Sequence, residues 1–162
     1  MRRKQEGFSL IELLIVVAII LIIVAIAIPS FLRSRIAANQ ASAIESLRLL
    51  STAEVSYTTT YGTGFSTTLQ YLGPPSGSDP VSSTAAGLVD SILAGGFKSG
   101  YTFVYTATLY NATSNTWNGF NVLANPAAPG QTGGVWYFID QTGVIRGNST
   151  TTAGSSDIAV AD

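Results

Sequence analysis

The chain has no cysteine, no histidine and few charges, with charged residues at only 10% of the total. Without cysteine there is no disulfide staple and no thiolate metal site, and the redox compartment is left open. Without histidine the commonest general base and metal ligand is missing. An enzyme built on this chain would have to rely on Asp, Ser or Tyr, and no G-x-S-x-G run is present. No enzymatic activity, no metal and no cofactor are therefore expected. The net charge is −1, and three of the eight basic residues are Arg2, Arg3 and Lys4. A phosphate backbone needs a basic stripe, so no nucleic-acid contact is expected from charge.

What is present is unevenly distributed. Apolar residues make up 46% of the 162-residue chain, and most of the excess lies in Phe8–Ile28. As a helix that run would be about 31 Å long at ~1.5 Å per residue, close to the ~30 Å hydrocarbon core of a bilayer. The preceding Arg2-Arg3-Lys4 cluster would hold its start on the cytoplasmic side. Glu12 stands alone in the run, and a carboxylate inside a membrane helix costs on the order of 3 kcal/mol. Such residues are usually paired and functional. Two plainer readings remain open at this point. One is a single-span anchor with Glu12 near the headgroups. The other is a secretory signal peptide with Ala25-Ile26-Ala27 as its cleavage site. Neither accounts for Gly7 and Glu12 together.

Arg2-Arg3-Lys4-Gln5-Glu6-Gly7 followed by Phe8-Ser9-Leu10-Ile11-Glu12-Leu13 resembles the class III signal of type IV pilins and type II secretion pseudopilins. The resemblance covers Met1 to about Tyr61. It implies cleavage between Gly7 and Phe8 by a prepilin peptidase, then N-methylation of Phe8. Counted from Phe8, Glu12 is the fifth mature residue, matching the family's signature, and Pro29 the twenty-second, where the family commonly carries its proline. The implied partners are identical subunits in a helical filament, the peptidase, an inner-membrane assembly platform, and the membrane before assembly. The implied location is the inner membrane for the precursor, then an extracellular filament or a periplasmic pseudopilus. Many members carry a small residue about eight positions before the proline, where this chain has Leu21.

The chemistry of the pairing is direct. The amine of a mature Phe8 would be cationic, and Glu12 could serve as its counter-ion within one subunit or across to a neighbour. Breaking such a buried pair leaves one charge uncompensated, at a cost of ~3–5 kcal/mol. Pro29 removes an intrahelical donor and crowds the preceding turn, so it should bend or loosen the helix near Ala25–Ile28. Loss of helix ahead of this proline in the filament is a further implication of the resemblance.

Beyond Pro29 the run turns amphipathic. Ile36, Ala43, Leu47, Leu50, Tyr57 and Tyr61 share one helical face, interrupted by Gln40 and Glu54. One helix is expected from Phe8 to about Tyr61. Past Gly62 the chain is rich in Thr, Ser, Asn and Gly, and 73–80 is a loop. A short helix is expected over Ala85–Ala94, with Leu88, Val89, Ile92 and Leu93 buried and Gly95-Gly96 ending it. Strands are expected over Tyr101–Tyr110, Gly119–Ala124 and Val135–Asp140. A turn at Gln141-Thr142-Gly143 would lead into Val144-Ile145-Arg146. Short connections favour an antiparallel meander. The tail after Arg146 reads as a loose strand or a disordered segment.

The fold class expected is thus α+β. It has a leader (1–7), a membrane and assembly half-helix (8–28), an amphipathic half-helix (29–61), and a small head with an antiparallel sheet (62–162). Asp79, Asp90 and Asp140 lack the spacing of a calcium loop and read as turn aspartates. Asn111-Ala112-Thr113 and Asn148-Ser149-Thr150 match the glycosylation sequon, a short and frequent pattern. The function expected is that of a structural filament subunit. A pseudopilin of type II secretion is the neighbouring alternative, and a membrane-anchored or secreted binding module is the alternative of another class.

Overall fold

A computed structural model of the protein describes residues 8–160. The chain falls into two compact units that divide between Arg35 and Ile36. Helix α1, Leu10–Tyr61, contributes to both. In the first unit it contains Pro29 and continues through it without a break. Proline removes one N–H from the ladder, but the bonds on either side remain available, so the helix does not end there. The helix begins at Leu10, two residues later than expected. The backbone N–H groups of Glu12 and Leu13 both donate to the Ser9 carbonyl, at 3.1 and 3.2 Å.

The second unit is built around the amphipathic stretch of α1. Ala43, Leu47, Leu50 and Tyr57 are buried there, as the stripe requires, while Tyr61 is partly buried against the same core. They join a cluster with Tyr101, Phe103, Phe120, Val122, Ala124, Tyr137 and Ile139. Those sheet residues recur at every second position, which is the period of one strand face. The sheet has six strands, all antiparallel neighbours in chain order. They are β1 Phe97–Lys98, β2 Tyr101–Asn111, β3 Thr116–Pro126, β4 Trp136–Asp140, β5 Arg146–Asn148 and β6 Ile158–Ala159. The meander and the α+β class are as the sequence leads one to expect.

Long strands β2 and β3 form the backbone of the sheet and meet in a tight turn. There the Asn111 side chain accepts from the N–H groups of Thr113 and Ser114, at 3.0 and 3.3 Å. Asn115 completes the turn at φ 52°, a conformation that asparagine tolerates better than most residues.

The finer expectations need correction in three places. Helix α2 is only Ser91–Ala94, not Ala85–Ala94. Asp90 caps it by accepting from the Leu93 N–H at 2.8 Å. The residues before it form turns and bends, and Leu88 and Val89 both donate to the Leu72 carbonyl of the 3₁₀ turn Leu69–Leu72. Leu93 and Val89 are buried as expected, but Ile92 is exposed, since the shortened helix turns that side to solvent. Val144 and Ile145 precede the β4–β5 pairing instead of starting it; β5 opens at Arg146. The tail past Arg146 follows the strand alternative in part, as β5 and β6 pair through Arg146↔Ala159 and Gly147↔Ile158.

Candidate functional site: the N-terminal helix

Unit one carries the residues singled out from sequence. Gly7 and the leader 1–7 lie outside the described residues. Phe8 precedes α1 and is 82% exposed. Glu12 lies in the first turn of α1, where its charge favours the partial positive end of the helix. Pro29 lies within the helix, with Phe31 and Leu32 exposed just beyond it. The structure therefore brings Phe8 and Glu12 to the same helix start and leaves Pro29 several turns away.

The exposure pattern of this unit is the informative quantity. Leu10, Ile11, Leu13, Leu14 and Ile15 are all exposed, and so are Ile19, Ile20, Leu21, Ile22 and Ile23. Consecutive residues on a helix point in different directions, so these side chains cover every side of it. A helix apolar on all sides is normally buried, either in lipid or among other helices. Among the described residues α1 is the one helix long and apolar enough to cross a membrane.

These geometric features coincide with the residues recognised by comparison. Residues 2–28 match the family model described as the prokaryotic N-terminal methylation motif. By this stretch, the chain is similar to type IV pilin-family proteins. It is 48% identical over 54 residues to the type IV major pilin protein PilA of Myxococcus xanthus strain DK1622. That stretch is 33% of this chain and 24% of the relative. No solved structure matches the chain. The methylation-motif match is thus carried by the N-terminal region.

In the second unit, the structure reveals a polar site that sequence reading passed over. Glu54 lies on the apolar stripe and is fully buried. Its carboxylate accepts from the Ser66 backbone N–H at 3.0 Å and from the Ser66 hydroxyl at 2.5 Å. The Tyr105 hydroxyl lies beside it and donates to the Ser66 carbonyl at 2.7 Å. Burial pushes the Glu54 carboxyl above the usual carboxylate range, while the hydrogen bonds from Ser66 act in the opposite sense. Burial next to Glu54 also raises the Tyr105 hydroxyl well above its ordinary value. The signal was present in the sequence: Leu50, Glu54, Tyr57 and Tyr61 follow helical spacing, so a carboxylate on that stripe had to be buried.

The three aspartates have separate tasks. Asp90 caps α2 and pairs with Lys98 at 2.8 Å, and the Lys98 ammonium holds its carboxyl below the usual range. Asp140 closes the turn after β4 by accepting from the Thr142 N–H at 2.9 Å. Asp79 is exposed in the 73–80 loop. Among the described residues no three metal-ligating side chains gather. The two sequons also differ: Asn111 is at an exposed turn, whereas the Asn148 amide donates to Asp157 at 2.9 Å.

Proposed function

We propose that this chain is a structural, non-enzymatic subunit of a type IV pilus-like filament. Its precursor is held in the inner membrane by α1, cut after Gly7 by a prepilin peptidase and N-methylated at Phe8. Subunits then pass through an inner-membrane assembly platform into an extracellular filament, joined by their N-terminal helices. The observation that carries this reading is the match of residues 2–28 to the methylation motif on a helix apolar on all sides. Such a surface asks for cover all round, which lipid gives before assembly and neighbouring helices give afterwards. Like subunits staggered by one repeated contact form an open helical array.

Glu12 has a specific place in that scheme. As the sole carboxylate in the apolar stretch Phe8–Ile28, it offers a charge partner to the Phe8 amine of the same or a neighbouring subunit. A buried polar pair that is satisfied in one register only is a register device. Pro29 marks the place where the helix can loosen as subunits pack.

A pilus is favoured over a type II secretion pseudopilus because the matched relative is a major pilin by its name. The test is electron microscopy of the producing cells. Surface filaments that disappear with deletion of this gene and return with complementation are expected. Unchanged filaments after deletion, or a protein confined to the periplasm, would refute the pilus assignment.

A further inference from the structure

The head contains a pocket that the filament reading does not use. It lies between the turn after α1, the 3₁₀ turn, and the β2–β3 end of the sheet, with a volume of about 270 Å³. Five aromatic residues, Tyr57, Phe65, Tyr71, Tyr110 and Trp117, contribute to its walls. The remaining lining residues are Thr63, Thr67, Ser83 and Asn115. None of the nine is ionisable near neutral pH, so an anion or a cation would find no counter-charge there.

The walls are held in place. Phe65 donates its N–H to the Trp117 carbonyl at 2.8 Å, and Gly64 at φ 77° lets the two backbones approach too closely for any side chain. The Tyr57 hydroxyl donates to the Ser83 carbonyl at 2.7 Å. Tyr110 and Trp117 meet at a ring distance of 4.9 Å and an angle of 49°, and the Tyr110 hydroxyl donates to Asn115 Oδ1 at 2.7 Å. A site whose parts are already bonded loses little freedom when a ligand enters.

We propose that this pocket binds one neutral pyranose ring of a glycan. A pyranose has a patch of polarised C–H groups on its face and hydroxyls around its rim. Aromatic faces carry partial negative charge and attract the C–H patch. The Thr, Ser, Asn and Tyr groups of the lining can exchange hydrogen bonds with the rim. A purely apolar ligand would strand those polar groups, and a charged one would be desolvated without a partner. The volume suits one ring, with the rest of a chain leaving through the mouth. The pocket lies wholly in the second unit, so the proposal stands whether or not the chain assembles.

The test is NMR on the full chain in a detergent without a sugar headgroup, with ligand signals read for binding and protein N–H signals read for its place. Cellobiose, maltose, lactose and chitobiose serve as neutral probes, and glucuronic and sialic acids as charged ones. At least one neutral disaccharide is expected to bind with Kd of roughly 1 mM or tighter and to shift the Trp117 indole N–H. Trp117→Ala should weaken that binding about tenfold or more. Tyr110→Ala should weaken it similarly with unchanged melting, because Tyr110 is 51% exposed and contributes little to the core. Absence of binding by all four neutral probes overturns the proposal. So does preference for the charged sugars, or binding that survives both substitutions.

Discussion

Glu12→Ala should leave the precursor inserted and cut after Gly7, yet reduce filaments to none or nearly none. In the proposed scheme cleavage depends on the Gly7–Phe8 bond and on presentation of the leader at the membrane face, neither of which the substitution touches. Assembly is different. In the proposed filament, neighbouring helices would replace lipid around residues 10–32 and the Phe8 amine would lose its solvent. With no carboxylate to meet it, the uncompensated charge costs ~3–5 kcal/mol per subunit. That cost recurs at every added subunit, so growth fails even when one contact could survive it. Glu12→Gln isolates the charge from the shape and should fail nearly as badly. The assay is an immunoblot of the cell-bound and sheared fractions: mature protein in the first and none in the second. Normal filament yield from Glu12→Ala would rule out the pairing.

The second large effect is expected in the head. Glu54→Ala removes the acceptor of both the Ser66 N–H and the Ser66 hydroxyl and leaves a void in a dry site. A loss of ~3 kcal/mol follows from buried donors without partners and the cavity together. The wild-type carboxyl also makes the head's stability depend on pH. Its pKa is raised above the ordinary value of 4.5 in the folded chain. The folded state then binds the proton more tightly than the unfolded chain does. This contribution is therefore fully present below pH 4.5 and is lost as pH rises through the folded pKa. The nearby titrating groups are Tyr57 on α1 and Tyr105 on β2, both raised by burial and so neutral across that window. Asp90, whose pKa is lowered, acts in the opposite sense but only at more acid pH. Thermal melts of the full chain in detergent should show Tm falling from pH 4.5 towards neutrality. Glu54→Gln should flatten that slope. A wild-type Tm that rises over the same interval would show that the Ser66 bonds outweigh burial.

The two halves of the chain were legible to different degrees. The N-terminal region could be read because its signals are one-dimensional: a basic leader, a glycine, an aromatic, a lone glutamate, and an unbroken apolar run. The Ile36–Tyr61 stripe could be read because helical periodicity survives over many turns. Strands β2, β3 and β4 were visible by alternation, although β3 is longer at both ends than its apolar centre suggested. Short elements were not visible. Two-residue strands such as β1 and β6 carry no period, and they exist through pairing with a neighbouring strand, β1 with the start of β2 and β6 with β5. The expected Ala85–Ala94 helix failed for a tertiary reason: the Leu72 carbonyl takes the N–H groups of Leu88 and Val89 before a helix can form. Glu54 read as an interruption of the stripe because its partners, Ser66 and Tyr105, lie on other elements. The aromatics of the pocket read as core and strand formers, and their gathering at one end of the head depends on the β2–β3 register.

The most direct test of the filament reading is the N-terminal sequence and intact mass of the mature protein from its native membrane or sheared surface fraction. A chain that starts at Phe8, with the mass of one added methyl group, is the predicted result. A chain that starts at Ile28, or one that retains Met1, would contradict it.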